Sequence, residues 1–158
     1  LIEMFGKDVE TTGVKYYILG LLLKEEAEIH HGENHEEESL LCFEKSLSLL
    51  LSAFNNRGAP IEPEHPAKIN EVVHHLQVGD VPANVKEKLF AFYEFTGRYD
   101  KAEDVLFDLV AYDAQSIERG MEFYGRLLKK SEEDLTNGGL PRNEVIDGMR
   151  SLKERKLV

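Results

Sequence analysis

Apolar side chains recur at intervals of three and four residues along almost the whole chain, and strict two-residue alternation is nearly absent. This periodicity is typical of amphipathic α-helices rather than of β-strands. The first two stripes predict helices near residues 8–31 and 35–55, with a break between them where Gly32 and Asn34 both favour a helix C-terminus. We therefore expect an all-α fold built from antiparallel helix hairpins.

Shorter stripes and turn residues divide the rest of the chain. Three prolines between residues 60 and 66 predict an extended connection, because proline lacks a backbone donor and restricts φ. The length of 158 residues suits one domain. The predicted organisation is a single helical domain over 1–158, with a hairpin at 8–55, a loop at 56–65, a helix at 66–77, a hairpin at 82–113, and a helix with a C-terminal cap at 114–155.

The charge balance of the chain argues against two classes of partner. Lysine and arginine number 19 against 30 aspartates and glutamates, which gives a net charge of −11. Such a balance argues against nucleic acid and against anionic membranes, because phosphate neutralisation needs clustered positive charge. A single cysteine, Cys42, excludes an intramolecular disulfide and is predicted to pack in the core. We expect a cytoplasmic protein.

One segment carries the spacing of a known helical repeat. Leu89 and Tyr93 would lie on the first helix of a hairpin, Gly97 in the turn, and Tyr99 with the small Ala102 on the second helix. This arrangement resembles a tetratricopeptide repeat. The resemblance implies stacked hairpins whose first helices line a concave groove that receives a partner segment.

Two further segments repeat parts of the motif. The first hairpin has the aromatic, leucine-glycine and small-residue positions, and the last helices repeat only the first-helix spacing, so the last unit resembles an end cap. The matching residues are Tyr16, Leu19, Gly20, Leu23, Ser39, Phe43 and Ser46, then Met121, Tyr124, Gly125 and Leu128. The whole chain also resembles a small bacterial family of uncharacterised proteins with tetratricopeptide-like helices.

The same resemblance implies which residues face the groove. Residues 116–130 hold four basic and two acidic side chains, a local reversal in an acidic chain. Converging cations would receive a carboxylate or an acidic peptide through charge-assisted hydrogen bonds. The alternative is that these cations pair with neighbouring glutamates along the helix. The predicted groove residues are Asn84, Lys88, Arg119, Phe123, Arg126 and Lys129.

Histidines gather where the first two predicted helices meet. His30, His31 and His35 lie in a stretch, 24–45, that has eight glutamates and two lysines. Imidazole and carboxylate together can hold zinc, nickel or manganese, and His31 with His35 has the four-residue spacing of a pair on one helix face. Against this, Gly32 interrupts the helix, and the other interpretation is a solvated acidic tip.

The residues that enzymes require form no recognisable motif. The sequence has no glycine-rich phosphate loop, nucleophile elbow or zincin helix, so we expect a protein that is not an enzyme and that needs no cofactor. The leading hypothesis is a non-catalytic adaptor for a protein or peptide. The alternatives are a metal-binding protein that uses the histidine tip, and a homodimer built on Tyr17, Ile18 and Leu21.

Overall fold

The computed structural model describes residues 2–56 and 64–156, and the side chains of 12–56 and 64–155. Within these ranges the chain forms eight α-helices and one 3-10 helix, without a β-strand, so the all-α prediction is confirmed. The helices are α1 Ile2–Gly32, α2 Glu36–Phe54, α3 His65–His74, α4 Ala83–Phe95, α5 Tyr99–Tyr112, α6 Gln115–Leu127, α7 Glu132–Asn137 and α8 Arg142–Lys156, and the 3-10 helix is Val78–Asp80.

The predicted boundaries agree with these elements to within a few residues in most places. Helix α1 begins at Ile2 rather than near residue 8, and the predicted helix 66–77 ends earlier, at His74, before the 3-10 helix. The predicted loop at 56–65 falls mostly on residues 57–63, which lie outside the described residues.

The chain divides into two compact units, Leu1–Lys88 and Leu89–Val158, and the division falls inside α4. Each unit has its own buried apolar side chains, among them Leu47 and Leu50 in the first and Leu106 and Leu127 in the second. The single domain over 1–158 stays a prediction.

In the first unit, α1 and α2 form an antiparallel hairpin that closes on small residues. Gly20 lies so near α2 that an added Cβ would meet the Leu50 side chain at 2.8 Å. The buried hydroxyl of Ser46 donates to the Gly20 carbonyl at 2.7 Å, and that of Ser39 donates to the Ala27 carbonyl at 2.9 Å. Small side chains at these positions therefore let the two helices pack closely.

Helix α3 covers part of this hairpin. Its first residue, His65, is buried and meets the Tyr17 ring edge-on, with the ring centroids 3.7 Å apart. Helix α3 thus covers part of Tyr17, whereas Ile18 stays 51% exposed.

In the second unit, α6 packs between α5 and α8. An added Cβ at Gly120 would meet the side chains of Leu106 and Leu152. The buried Tyr124 hydroxyl donates to the Glu103 carboxylate at 2.5 Å. Burial, reinforced by this hydrogen bond, raises the pKa of Tyr124. Burial also raises the pKa of Glu103, although the hydrogen bond from Tyr124 opposes that shift.

Candidate functional site

The tip of the first hairpin is a Schellman turn. Asn34 has a positive φ of 61°, the Asn34 N–H donates to the His31 carbonyl at 3.1 Å, and the His35 N–H donates to the His30 carbonyl at 2.9 Å. These two hydrogen bonds satisfy carbonyls at the end of α1 and reverse the chain into α2. His30 and His35 therefore occupy the two positions that such a turn brings together.

The turn places the ring of His35 beside that of His30. Their centroids lie 5.9 Å apart, and the side chains are 27% and 55% exposed, respectively. His35 Nδ1 lies 3.4 Å from a carboxylate oxygen of Glu33, and His30 Nε2 lies 4.0 Å from one of Glu26. The tip thus combines two imidazoles with carboxylates on either side.

His31, the predicted partner of His35, lies close to other residues of the tip. Its Nδ1 is 3.4 Å from a Glu36 carboxylate oxygen, and its ring centroid is 6.1 Å from that of His75. The four-residue spacing of His31 and His35 belongs to a continuous helix, whereas the chain here turns at Asn34. The pair that the turn assembles is His30 with His35, five residues apart.

Cys42 lies next to the same cluster from α2. It is half-buried rather than fully packed in the core, and burial, with the charge of Glu26, raises the pKa of its thiol. One ligand atom from each of Glu26, His30 and Cys42 lies within 4.8 Å of the others, and the same holds for His30, Glu33 and His35. His30 is common to both groups.

A pocket of about 400 Å³ opens on the first unit between α2 and the segment that follows α3. Leu40 and Leu41 of α2 border it and are 46% and 50% exposed. The residues that line it are Leu40, Leu41, Glu44, His75, Leu76, Gln77, Asp80 and Val81. The described lining is largely apolar, with two carboxylates and neither lysine nor arginine.

Local contacts hold the walls of this pocket. The imidazole of His75 stacks on the buried Phe43 ring at 4.3 Å and an interplanar angle of 5°. The buried Lys86 ammonium donates to the Gly79 carbonyl at 2.8 Å and so ties the 3-10 helix to α4. Sequence reasoning missed the pocket, because its lining depends on the path of the chain after α3.

Two of the predicted groove residues belong to the first unit. Asn84 is exposed at the start of α4. Lys88 is half-buried, and its ammonium donates to the Ser52 hydroxyl at 2.8 Å. Lys88 therefore already has a hydrogen-bond partner within its own unit.

The other four groove residues belong to the second unit, and one of them is in the core. Phe123 is 0% exposed and packs edge-on against Phe90 at 5.2 Å, so it cannot line an open groove as expected. Arg126 donates two hydrogen bonds to Glu94, at 2.6 and 2.9 Å, which raise the pKa of the guanidinium. Lys129 is exposed, and Arg119 is half-buried and engaged in an interaction.

One cation of the basic segment is already paired within the second unit. Arg126 binds Glu94 of α4, which lies on another helix and not along its own helix as the alternative expected. A partner that used Arg126 would have to replace this bidentate interaction. The basic residues of the second unit are therefore a weaker candidate site than the pocket and the histidine tip of the first.

The described residues form an all-helical structure with a pocket and a histidine-containing tip on the first unit. None of the helices in the described part of the chain has the length and apolar run that crossing a bilayer requires. The chain belongs to a family of unknown function, DUF6483, whose model matches residues 8–156. Comparisons with curated proteins and with solved structures give no match.

Proposed function

We propose that this chain is a non-catalytic adaptor that binds a partner protein through the pocket of the first unit. The single observation that supports this most is the pocket of about 400 Å³ with Leu40 and Leu41 half-exposed at its border. Exposing a large apolar side chain to water costs free energy. Two adjacent exposed leucines beside a concavity therefore indicate a docking site.

Charge selects the kind of partner. Glu44 and Asp80 line the pocket, and Glu37 lies one helical turn before Leu41 on α2. An acidic border around an apolar depression complements a segment with an apolar anchor and flanking lysine or arginine residues. We therefore propose a basic amphipathic helix of another protein as the ligand. This partner differs from the acidic segment that the basic residues at 116–130 predicted.

The size of the pocket limits what it can hold. Its volume suits one or two large apolar side chains from the partner. Burial of one leucine side chain contributes about 1.5–3 kcal/mol, which is too little for stable association without further contacts. The proposed interaction is therefore transient unless acidic residues on α2 add several ion pairs.

The hairpins themselves support a degenerate tetratricopeptide-like architecture, which we propose as the finer fold. The turn that joins α4 to α5 repeats the first hairpin's turn: Gly97 has a φ of 73°, and the Arg98 N–H donates to the Tyr93 carbonyl at 2.9 Å. Ala102, the predicted small residue of α5, is 0% exposed. How successive hairpins stack stays a prediction.

Two designed peptides test the proposed partner class. Both carry the same helical leucine stripe, and the remaining positions are lysine in one and glutamate in the other. Titrated into the isotope-labelled chain, the lysine peptide should shift the amide resonances of Leu40, Leu41 and Val81, and the glutamate peptide should leave them in place. Leu41→Ser should weaken binding of the lysine peptide.

The control is Leu22→Ser, which removes an exposed leucine on α1 that does not line the pocket. It should leave peptide binding unchanged, which separates the pocket from general surface hydrophobicity. Preferential binding of the glutamate peptide, with shifts at Arg119 and Lys129, would instead support the basic surface of the second unit. Equal loss of binding in both leucine variants would contradict the pocket assignment.

A further inference from the structure

We propose that His30, Glu33 and His35 form a binding site for one divalent transition-metal ion of the Zn²⁺ class. One ligand atom from each of the three residues lies within 4.8 Å of the other two. Two imidazoles and a carboxylate are ligands that bind zinc and other divalent first-row transition metals. The site does not depend on the pocket proposed above.

The backbone places these three ligands in advance. His30 is in the last turns of α1, Glu33 follows its last residue, and His35 immediately precedes α2. The His35 N–H donates to the His30 carbonyl at 2.9 Å, and the Glu33 N–H donates to the Ile29 carbonyl at 3.0 Å. The backbone of the turn is therefore held by hydrogen bonds before an ion binds, which limits the conformational entropy lost on binding.

His30 carries the clearest sign that a ligand belongs here. Its Nδ1 atom is buried and has no hydrogen-bond partner among the described residues. A buried polar atom without a partner is costly, and metal coordination is one way to satisfy an imidazole nitrogen. The other ring nitrogen, Nε2, lies 4.0 Å from Glu26, a carboxylate that would support a metal-bound imidazole.

The separations fit a small shift on binding. Ligand bonds of about 2.0–2.1 Å place neighbouring donors about 3.4 Å apart in a tetrahedral zinc site. The donors must close from at most 4.8 Å, a movement of about 1 Å for side chains that are 27–58% exposed. Three protein ligands leave the fourth position open, and the acidic residues of 24–45 favour an approaching cation.

A second set, Glu26 with His30 and Cys42, competes for the same ion. Both sets include His30. Glu26 lies on α1 and Cys42 on α2, so that set spans two helices. His30, Glu33 and His35 lie on one turn that backbone hydrogen bonds hold in place, and this is the set we assign.

Calorimetric titration of the untagged chain with ZnCl₂ tests the site, with MgCl₂ in a parallel experiment. We expect one Zn²⁺ per chain and no heat of binding from Mg²⁺, which prefers oxygen ligands. His30→Ala and His35→Ala should each weaken Zn²⁺ binding at least about tenfold, since even disturbing a ligand's supporting partner costs that much. His31→Ala and His74→Ala are the matched controls and should bind like the parent.

The outcomes separate the alternatives. Absence of Zn²⁺ binding by the parent chain, or unchanged binding in His30→Ala, would overturn the proposal. Loss of binding in Cys42→Ser with retention in His35→Ala would also overturn it and assign the ion to the cysteine set. Far-UV circular dichroism checks the fold of each variant; if His30→Ala loses helix, the more exposed His35→Ala decides.

Discussion

Helices α1 and α7 end in the same turn, but the side chains that meet there differ completely. At the end of α7, Gly139 has a φ of 76°, and the Leu140 N–H donates to the Leu135 carbonyl at 3.0 Å. This repeats the turn at Asn34, where His30 and His35 occupy the corresponding positions. Leu135 and Leu140 are 0% and 2% exposed, whereas the side chains of His30 and His35 are 27% and 55% exposed.

The comparison shows that backbone geometry and side-chain chemistry are separate properties of this turn. A residue with positive φ and two hydrogen bonds are enough to bring the flanking positions together. An apolar pair then adds packing, as at Leu135, while an imidazole pair presents nitrogen ligands to solvent. At the end of α7 the turn brings together two buried leucines, and at the end of α1 it brings together two partly exposed histidines.

Truncation of Leu135 should have the largest effect on stability. We expect Leu135→Ala to lower the free energy of unfolding by about 2–5 kcal/mol, because it removes a fully buried side chain and leaves a cavity. Urea denaturation followed by circular dichroism measures this difference. The matched change at the other turn, His35→Ala, should cost less than about 1 kcal/mol. Equal losses in the two variants would contradict the claim that only the leucine pair contributes packing at its turn.

The positive φ angles predict a smaller effect at the turn residues themselves. Gly139→Ala should destabilise the chain by about 1–2 kcal/mol, because a side chain disfavours this conformation and its Cβ would meet Asp100 at 2.9 Å. At the other turn, Asn34→Gly should be close to neutral, since asparagine already tolerates positive φ. Denaturation midpoints of the two variants provide the test, and a destabilising Asn34→Gly would show that the Asn34 side chain has a further role.

The second unit also contains a half-buried carboxylate, since Glu103 accepts a hydrogen bond from the Tyr124 hydroxyl. Its pKa is raised above the ordinary 4.5 by burial, so the folded chain binds this proton more tightly than the unfolded chain. Its contribution to stability is complete below pH 4.5 and is lost as pH rises through the folded-state pKa. Glu103→Gln should lack this loss, which in the parent amounts to about 1.4 kcal/mol at most for each unit by which the pKa is raised.

Unfolding free energies measured across the acidic range check this slope. The control is Glu154→Gln, which changes an exposed carboxylate on α8 and should keep the parent's pH dependence. A Glu103→Gln variant whose stability falls with pH as steeply as the parent's would show that another group is responsible.

Helix pattern and helix ends were largely predictable from the sequence. Apolar periodicity depends only on local sequence, and Gly97 marked a turn that the structure confirms. Burial of Phe123 was not predictable from the repeat resemblance. That residue faces the core because it packs on Phe90, and the partner of a helix face is a tertiary property.

For the histidine tip, the sequence predicted which types of residue are present but not which of them the fold brings together. Counting residues along a helix paired His31 with His35, whereas the turn pairs His30 with His35. The signal was present in Asn34, because asparagine after a helix end implies that the residues four before and one after it will meet. The pocket at Leu41 needed the path of the chain after α3, which no local pattern specifies.

The smallest expected effect comes from replacing one histidine of the pair with leucine, the residue found at the corresponding position of the other turn. His35→Leu keeps every backbone hydrogen bond at the tip, so the metal-free chain should change in stability by no more than about 0.5 kcal/mol. It should lose the rise in thermal midpoint that excess Zn²⁺ gives the parent, because only a ligand that prefers the folded state stabilises it. Thermal denaturation with and without Zn²⁺ measures both quantities. A large loss without metal would mean that the imidazole itself supports the turn, and geometry and chemistry would then be coupled at this end of α1.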